Sequence, residues 1–472
     1  METASESVEQ SIQAAPVESS EYVYQPSIPP ERMAWVVLFI AFVMFCLLSA
    51  STVLGIYFFL FESTIPIPTA LQVAQGTVGI TGADLIERVE REQEDLTNTV
   101  TSISTDSQSQ ATIQFRSHPV AEDEIPDLIA AVTLQRNTLL TFDHASRPRF
   151  EWSPNRPYIQ LSQLSGQLDI VITGARKKPF LMHIDTKRGL NIDLSQNGRY
   201  RIHATDDEVR LLNLDGAAST FFADDAANPN PVPSGQEVVI RLGNRSIEIQ
   251  RSIENILTNA AFSLQDTAEV QGDLLPPKWG CPSRIVPDRP PRGSVTMEKF
   301  DGRVVARLRR LDNATSSSGA GCVQLFGSDG LDVTDFDSIH VVATFNLNYQ
   351  SLIRCGIEGS ECPLMLLITY ESEAVGVERR WFRGFYYDKP LLNDYPLRCD
   401  SCFQDHLNIN AGVWYTFESD NLFTLLDSSR HPVRLRSIEF YASGHQFDTA
   451  ISEMMILVSS SEAAPDAQTD GP

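Results

Sequence analysis

Hydrophobic positions along this chain follow two different rules. From Met33 to Phe61 they run on without a single charged residue. Almost everywhere after that they alternate with polar positions. The unbroken run predicts a transmembrane helix, since a bilayer core takes about 20 apolar residues in helical form and a helix satisfies its backbone groups internally where no water is present. Trp35 near one end and Tyr57 near the other suit the two interfaces. A buried core helix and a cleaved signal peptide are the competing readings. The run is too long and too evenly apolar for the first. Against the second, the preceding residues are acidic and the run continues past Ser49-Ala50-Ser51.

Alternation of period two marks half-buried strands. It recurs between residues 70 and 250, at Ile159 and Leu161, Leu168, Ile170 and Ile172, Leu190, Ile192 and Leu194, Tyr200 and Ile202, and Val209 and Leu211. Turn signals stand between these runs at Asn197-Gly198, Asp215-Gly216, Ser234-Gly235 and Gly243-Asn244. Asn-Gly and Asp-Gly mark hairpins, because both central residues take positive φ readily. The segment Asp84–Leu96 departs from the pattern. With Leu85 and Val89 four apart it reads as a short amphipathic helix, or equally as a twisted strand pair. A second β-rich region runs from residue 254 to 460. The resulting fold class is mainly β: one N-terminal transmembrane helix, a β-domain over 70–250 and a β-sandwich over 254–460.

Charge and cysteine usage supply direction. The net charge is −24, of which six Glu against Arg32 place −5 in residues 1–32. The large remainder stays acidic, which argues against nucleic acid or anionic lipid as partner. Residues 1–32 are too poor in large apolar side chains to offset the entropy of ordering, and residues 461–472 are similar; both are expected to be disordered tails. Arg32 abuts the span, and no Lys or Arg follows it until Arg88. The positive-inside rule therefore puts 1–32 in the cytoplasm and the bulk outside the cell membrane. Cys46 lies in the span, while Cys281, Cys322, Cys355, Cys362, Cys399 and Cys402 all lie in the second β region. An even, clustered set suits an oxidising compartment and three disulfides. Six cysteines allow 15 pairings; proximity favours Cys281–Cys322, Cys355–Cys362 and Cys399–Cys402. Zinc is the alternative, with Cys399-Asp-Ser-Cys402 as one knuckle, although the gap between Cys355 and Cys362 is wide for a second.

The first β region resembles the FecR-type domain of bacterial envelope proteins. The resemblance is carried by Gly76-Thr-Val78, Leu96-Thr-Asn-Thr-Val100, Ser107–Phe115, Val132-Thr-Leu134, Leu139–Phe142, Leu164-Ser-Gly166, and His183-Ile-Asp-Thr186. Its most specific part is Val209–Gly216 followed by Val232–Gln236. It implies a place outside the cytoplasmic membrane and a part in signalling or surface assembly. The best-known members carry an anti-sigma domain inside the cell, and a tail of 32 residues is too short for one.

The second β region is similar to galactose-binding-like jelly rolls. It opens on Asn255–Phe262, which the resemblance makes a strand, followed by Trp279. It continues with Gly330–Phe345, Gly412–Phe417, Arg436–His445 and the final run Ala450–Leu457. Such domains often bind carbohydrate, which makes Trp381, Phe385, Tyr386, Tyr387 and Trp414 candidate sugar-stacking residues, with Trp381, Tyr386 and Trp414 the leading three. The bland alternative is that these rings are core. In Trp381–Tyr387, alternation puts Trp381, Arg383 and Phe385 on one face and Phe382, Gly384 and Tyr386 on the other. His445, beside Gly444, reads as a pocket residue or as an ordinary turn histidine. Asp329, Asp332, Asp335 and Asp337 read as calcium ligands or as a polar turn.

No P-loop, His-Glu-x-x-His or Gly-x-Ser-x-Gly occurs. The expectation is a non-catalytic, cofactor-free envelope sensor or scaffold, held in a lipid bilayer, with a cell-surface glycan or another envelope protein as partner. The alternatives are a signal transducer working through its tail and a glycan-processing enzyme.

Overall fold

A computed structural model describes residues 30–82, 87–90, 93–97, 100–118, 126–173, 180–262, 268–270, 273–275, 278–281, 290–372, 377–389 and 395–460. Of the expected tails 1–32 and 461–472, residues 1–29 and 461–472 lie outside the described residues, and 30–32 belong to the helix instead. The chain divides into two compact units, Met1–Glu62 and Ser63–Pro472.

In the first unit, Pro30–Tyr57 is an α-helix and Phe58–Glu62 continues it as a π-helical turn. Glu31–Glu62 contains an 18-residue stretch of mean hydropathy 2.6 and is long and apolar enough to cross a membrane. Its side chains are exposed nearly throughout. Thr52, a polar residue in this apolar setting, returns its hydroxyl to the Leu48 carbonyl at 2.8 Å.

The second unit is mainly β, as the alternation requires. Its first half packs two sheets on one core. Sheet I contains Val78–Thr81, Thr101–Thr105, Leu139–Pro148, Leu181–Thr186, Leu190–Leu194 and Ala218–Phe222. Sheet II contains Thr69–Gln75, Gln110–Arg116, Leu128–Leu134, Gly198–Ala204, Glu208–Asn213 and Gln236–Arg241. The long strand Tyr158–Ile172 belongs to both: its first part pairs in sheet I and its second in sheet II. It bends where the register shifts between Ser162 and Ser165, with Gln163 at φ 56° and Gly166 at φ 105°. The alternating apolar positions, Ile159 through Ile240, line the space between the sheets.

Two expectations are corrected here. Asn197-Gly198 and Asp215-Gly216 are not hairpins. Each carries the chain from one sheet to the other, as does Ser234-Gly235, and only Gly243-Asn244 joins paired neighbours. A reversal between stacked sheets uses the same turn residues as one between bonded strands. In Asp84–Leu96, the described part forms the short strands Glu87–Glu90 and Gln93–Asp95. They pair with different sheets and not with each other.

The second half faces a third sheet against an extension of sheet II. Sheet III contains Ser318–Leu325, Pro432–Gly444, Leu364–Ser372 and Glu378–Tyr386. Opposite lie Arg303–Arg310, Phe447–Ser460, Ser338–Gln350 and Trp414–Glu418. A separate core fills the gap, with Phe345, Trp381, Phe385 and Phe440 fully buried. The expected opening strand at Asn255–Phe262 is instead the end of Ser246–Asn255 followed by a turn. Phe262 at its end packs against Trp279 and Phe440, at ring separations of 5.7 and 5.5 Å.

Sheet II does not stop between the halves. Ser252–Asn255 pairs with Leu457–Ser460, so hydrogen bonding runs on from the first half into the second.

Candidate functional site

Two of the candidate sugar contacts, Trp381 and Tyr386, lie on one strand of sheet III, and the structure covers both of them. Along Glu378–Tyr386 the side chains alternate as expected. Trp381 and Phe385 enter the core between the sheets, while Phe382 and Tyr386 point to the other side. There they meet Met365, Leu367 and Tyr441 beneath two disulfide-closed segments. Cys355–Cys362 closes the first and Cys399–Cys402 the second; Cys281–Cys322 is the third bond. These are the pairs that proximity favours.

His406 fastens the two segments to the sheet. Its Nδ1 accepts from the Gly384 N–H at 3.0 Å, and its Nε2 bonds the Gly359 carbonyl at 2.7 Å. With Nδ1 accepting, Nε2 carries the proton, so one neutral tautomer satisfies both contacts. Burial holds its pKa below the ordinary histidine value. Cys355, Cys362 and His406 bring potential ligand atoms within 4.8 Å of one another, a different set from the Cys399-Asp-Ser-Cys402 knuckle of the zinc reading. In this structure the two sulfurs are bonded to each other and both ring nitrogens are in use, so no thiolate is offered. Gly384 is required in this packing, because a Cβ there would lie 2.5 Å from the Cys362 sulfur and from His406 Nδ1.

The candidate sugar contacts are therefore placed as follows. Trp381 is 0 % exposed, Tyr386 5 % and Trp414 1 %, so none presents a ring face to solvent. Stacking on a sugar needs an open ring face, and these three are corrected to packing residues. Trp414 lies on the opposite side of its sheet. Its indole N–H donates to Asp301 at 2.7 Å, and Arg303 sits 4.6 Å over its ring. His445 is half-buried in a turn. The turn is held by Arg310, which bonds the carbonyls of Pro291, Ser316, Gly444 and His445. Asp332 accepts from the Thr334 N–H at 3.0 Å and its hydroxyl at 2.6 Å, the polar-turn reading of that acidic stretch.

A charged seam joins the halves. Arg201 binds Asp169 at 2.6 Å on one side and Glu418 on the other. Arg199 pairs with Glu453, and Arg116 with Asp301 at 2.8 Å. Gln110 exchanges two bonds with the Thr416 backbone, at 2.9 and 3.1 Å. A cavity of about 40 Å³ lies in this seam between Arg199, Tyr200 and Met455. That is space on the scale of a few waters.

Sequence reasoning missed one constellation. On the outer face of sheet I, His183 stands between two carboxylates, with Nδ1 2.6 Å from Asp193 and Nε2 3.0 Å from Asp185. The bond to Asp193 holds its pKa above the ordinary value. His183-Ile-Asp185 already puts two of the three on one strand face; the cross-strand partner Asp193 needs the register.

No family model matches the chain, and no curated protein does. Among solved structures, a Parabacteroides distasonis protein assigned as an anti-sigma factor is similar at 12 % identity over 32 % of this chain and 59 % of its own, with a TM-score of 0.20. This chain thus spans less than two thirds of that structure. The family 11 carbohydrate-binding module of Clostridium thermocellum, solved with a mixed-linked tetrasaccharide, matches at 10 % identity over 39 % of this chain and 90 % of its own, TM-score 0.22. A family 30 module from the same organism matches at 9 % identity over 39 % and 93 %, TM-score 0.21. Likenesses this loose carry no argument. What the chain's own features define is a mainly β protein with three disulfides and one long N-terminal apolar helix.

Proposed function

We propose that this chain is a single-pass protein of the cell membrane whose extracytoplasmic β unit is a non-catalytic scaffold for assembly in the envelope. Residues 1–32 face the cytoplasm in this reading, and Met33–Phe61 forms the anchor. The observation that carries it is the pairing of Ser252–Asn255 with Leu457–Ser460. A sheet continuous across both halves, reinforced by the Arg201 and Arg199 ion pairs, resists hinge motion and presents its surfaces in fixed relation. The three disulfides support an oxidising compartment. Burial of Trp381, Tyr386 and Trp414 favours a scaffold over a lectin, since the rings that would hold a sugar are spent on packing.

Affinity electrophoresis of the full chain in detergent, through gels containing envelope polysaccharides, tests the choice. Migration unchanged by polysaccharide is expected; specific retardation sinks the glycan-free reading. Alkaline carbonate should leave the chain in the membrane pellet, and protease added to intact spheroplasts should remove residues 63–472 but spare an N-terminal tag. Signalling through the tail is the rival. It predicts a phenotype on deleting residues 2–25 that the scaffold reading does not.

A further inference from the structure

Ser63 follows the apolar helix directly in the chain. Its carbonyl accepts the Arg149 N–H at 3.0 Å, and the next residues pair antiparallel with the strand before that point, Thr64 opposite Pro148 and Pro66 opposite Ser146. The β unit therefore ties the turn between Leu139–Pro148 and Tyr158–Ile172 to the residue that leaves the helix. A chain extends at most about 3.6 Å per residue, so Trp152, three residues on from Arg149, lies within roughly 11 Å of that tie whatever the tilt of the β unit.

The composition of the turn is unlike the rest of the protein. Ser146–Pro157 carries Arg147, Arg149 and Arg156 against Glu151, a net +2 in a chain of net −24. Trp152 is 62 % exposed, while Trp279, Trp381 and Trp414 are 4 %, 0 % and 1 % exposed. Its ring stacks on Phe150 at 4.8 Å and an interplanar angle of 11°, so two aromatic rings form one apolar blade. Tryptophan prefers the bilayer interface, with its ring against the acyl boundary and its N–H among headgroups, and guanidinium groups bond lipid phosphates.

We propose that the Arg149–Pro157 turn is a second membrane contact: the Phe150–Trp152 blade enters the headgroup layer of the bilayer that Met33–Phe61 spans, and Arg156 meets lipid phosphates. This rests on the reading of Met33–Phe61 as a span. The contact would hold the β unit against the membrane instead of leaving it to swing on one backbone link, which a scaffold of fixed orientation needs. Leu325 and Ile357 are more exposed still, but nothing ties either to the membrane-proximal end.

The test uses the full chain in phosphatidylcholine nanodiscs, in a Trp35→Phe background so that the span contributes no indole. Trp152 is then the indole open to quenchers. Lipids brominated near the headgroup end of their acyl chains should quench its emission, aqueous iodide should reach it poorly, and Trp152→Ser should abolish the lipid quenching. Trp152→Ser removes an exposed ring, and an unchanged melting temperature confirms that the fold is intact. A chain retained by the nanodisc in which Trp152→Ser leaves lipid quenching as it was, or in which iodide quenches Trp152 freely, overturns the turn contact alone. A chain that no bilayer retains overturns the span and the turn contact together.

Discussion

Arg201 reaches across the seam between the two halves to grip Glu418, with Nη1 2.9 Å from Oε1 and Nη2 on Oε2. The same guanidinium is braced from its own half by Asp169. Arg201→Met would leave two carboxylates facing each other with no cation between them, at a cost of about 3–5 kcal/mol. Glu418→Gln keeps Arg201 paired with Asp169 and should cost less, about 1–2 kcal/mol. Urea unfolding of each variant measures the order. Equal effects would mean that the seam is not held by this pair.

His183 should make stability depend on pH. Its folded pKa lies above the ordinary value, chiefly through the bond to Asp193. The contribution is therefore fully present below the unfolded pKa of about 6.5 and is lost as pH rises through the higher folded value. The melting temperature of the wild type should fall relative to that of His183→Gln as pH rises from about 6. Parallel curves for the two proteins would contradict the clamp.

The three disulfides should contribute unequally. On the chain-entropy account, Cys281–Cys322, with a sequence separation of 41, is worth about 4 kcal/mol. Cys355–Cys362 and Cys399–Cys402, with separations of 7 and 3, are worth about 2 kcal/mol each. Paired Cys→Ser variants, ranked by thermal unfolding, check the order. Mass spectrometry of peptides from the unreduced chain checks the pairing itself.

Trp381 distinguishes a packing ring from a ligand-binding one. It is fully buried against the core that contains Phe345 and Phe385. Trp381→Ala should destabilise the β unit by about 3–5 kcal/mol, and Trp381→Phe by much less. Circular dichroism melts report this. A well-folded Trp381→Ala protein would reopen the sugar-contact reading.

The inter-sheet corner at Asp215-Gly216 shows where reading the sequence stops. Its turn residues are visible, but the sheet to which the next strand belongs is not. That is decided by Tyr200, whose hydroxyl bonds the Gln196 carbonyl at 2.8 Å and accepts the Ala217 N–H at 3.0 Å. A Cβ on Gly216 would lie 2.0 Å from the same hydroxyl. Asn213, fully buried, completes the corner by bonding Gly216 and Val232. These contacts join residues from different turns, so local pattern holds no trace of which sheet they select.

Periodicity by itself determined the β character of residues 70–250 and 254–460, the faces of Trp381–Tyr386 and the apolar helix, because each depends on neighbours along the chain. Spacing along the chain also favoured the disulfide pairs that the structure contains. Only the tertiary structure decided that the halves share one sheet through Ser252–Asn255 and Leu457–Ser460, residues some 200 positions apart. It also decided that Phe382 and Tyr386 on the outer face of sheet III are covered and that Trp152 is the tryptophan of the β unit left exposed. An aromatic residue in an alternating strand is apolar in either case. Whether its ring meets a core, a covering loop or solvent depends on what long-range pairing brings over it, and that is a property of the fold.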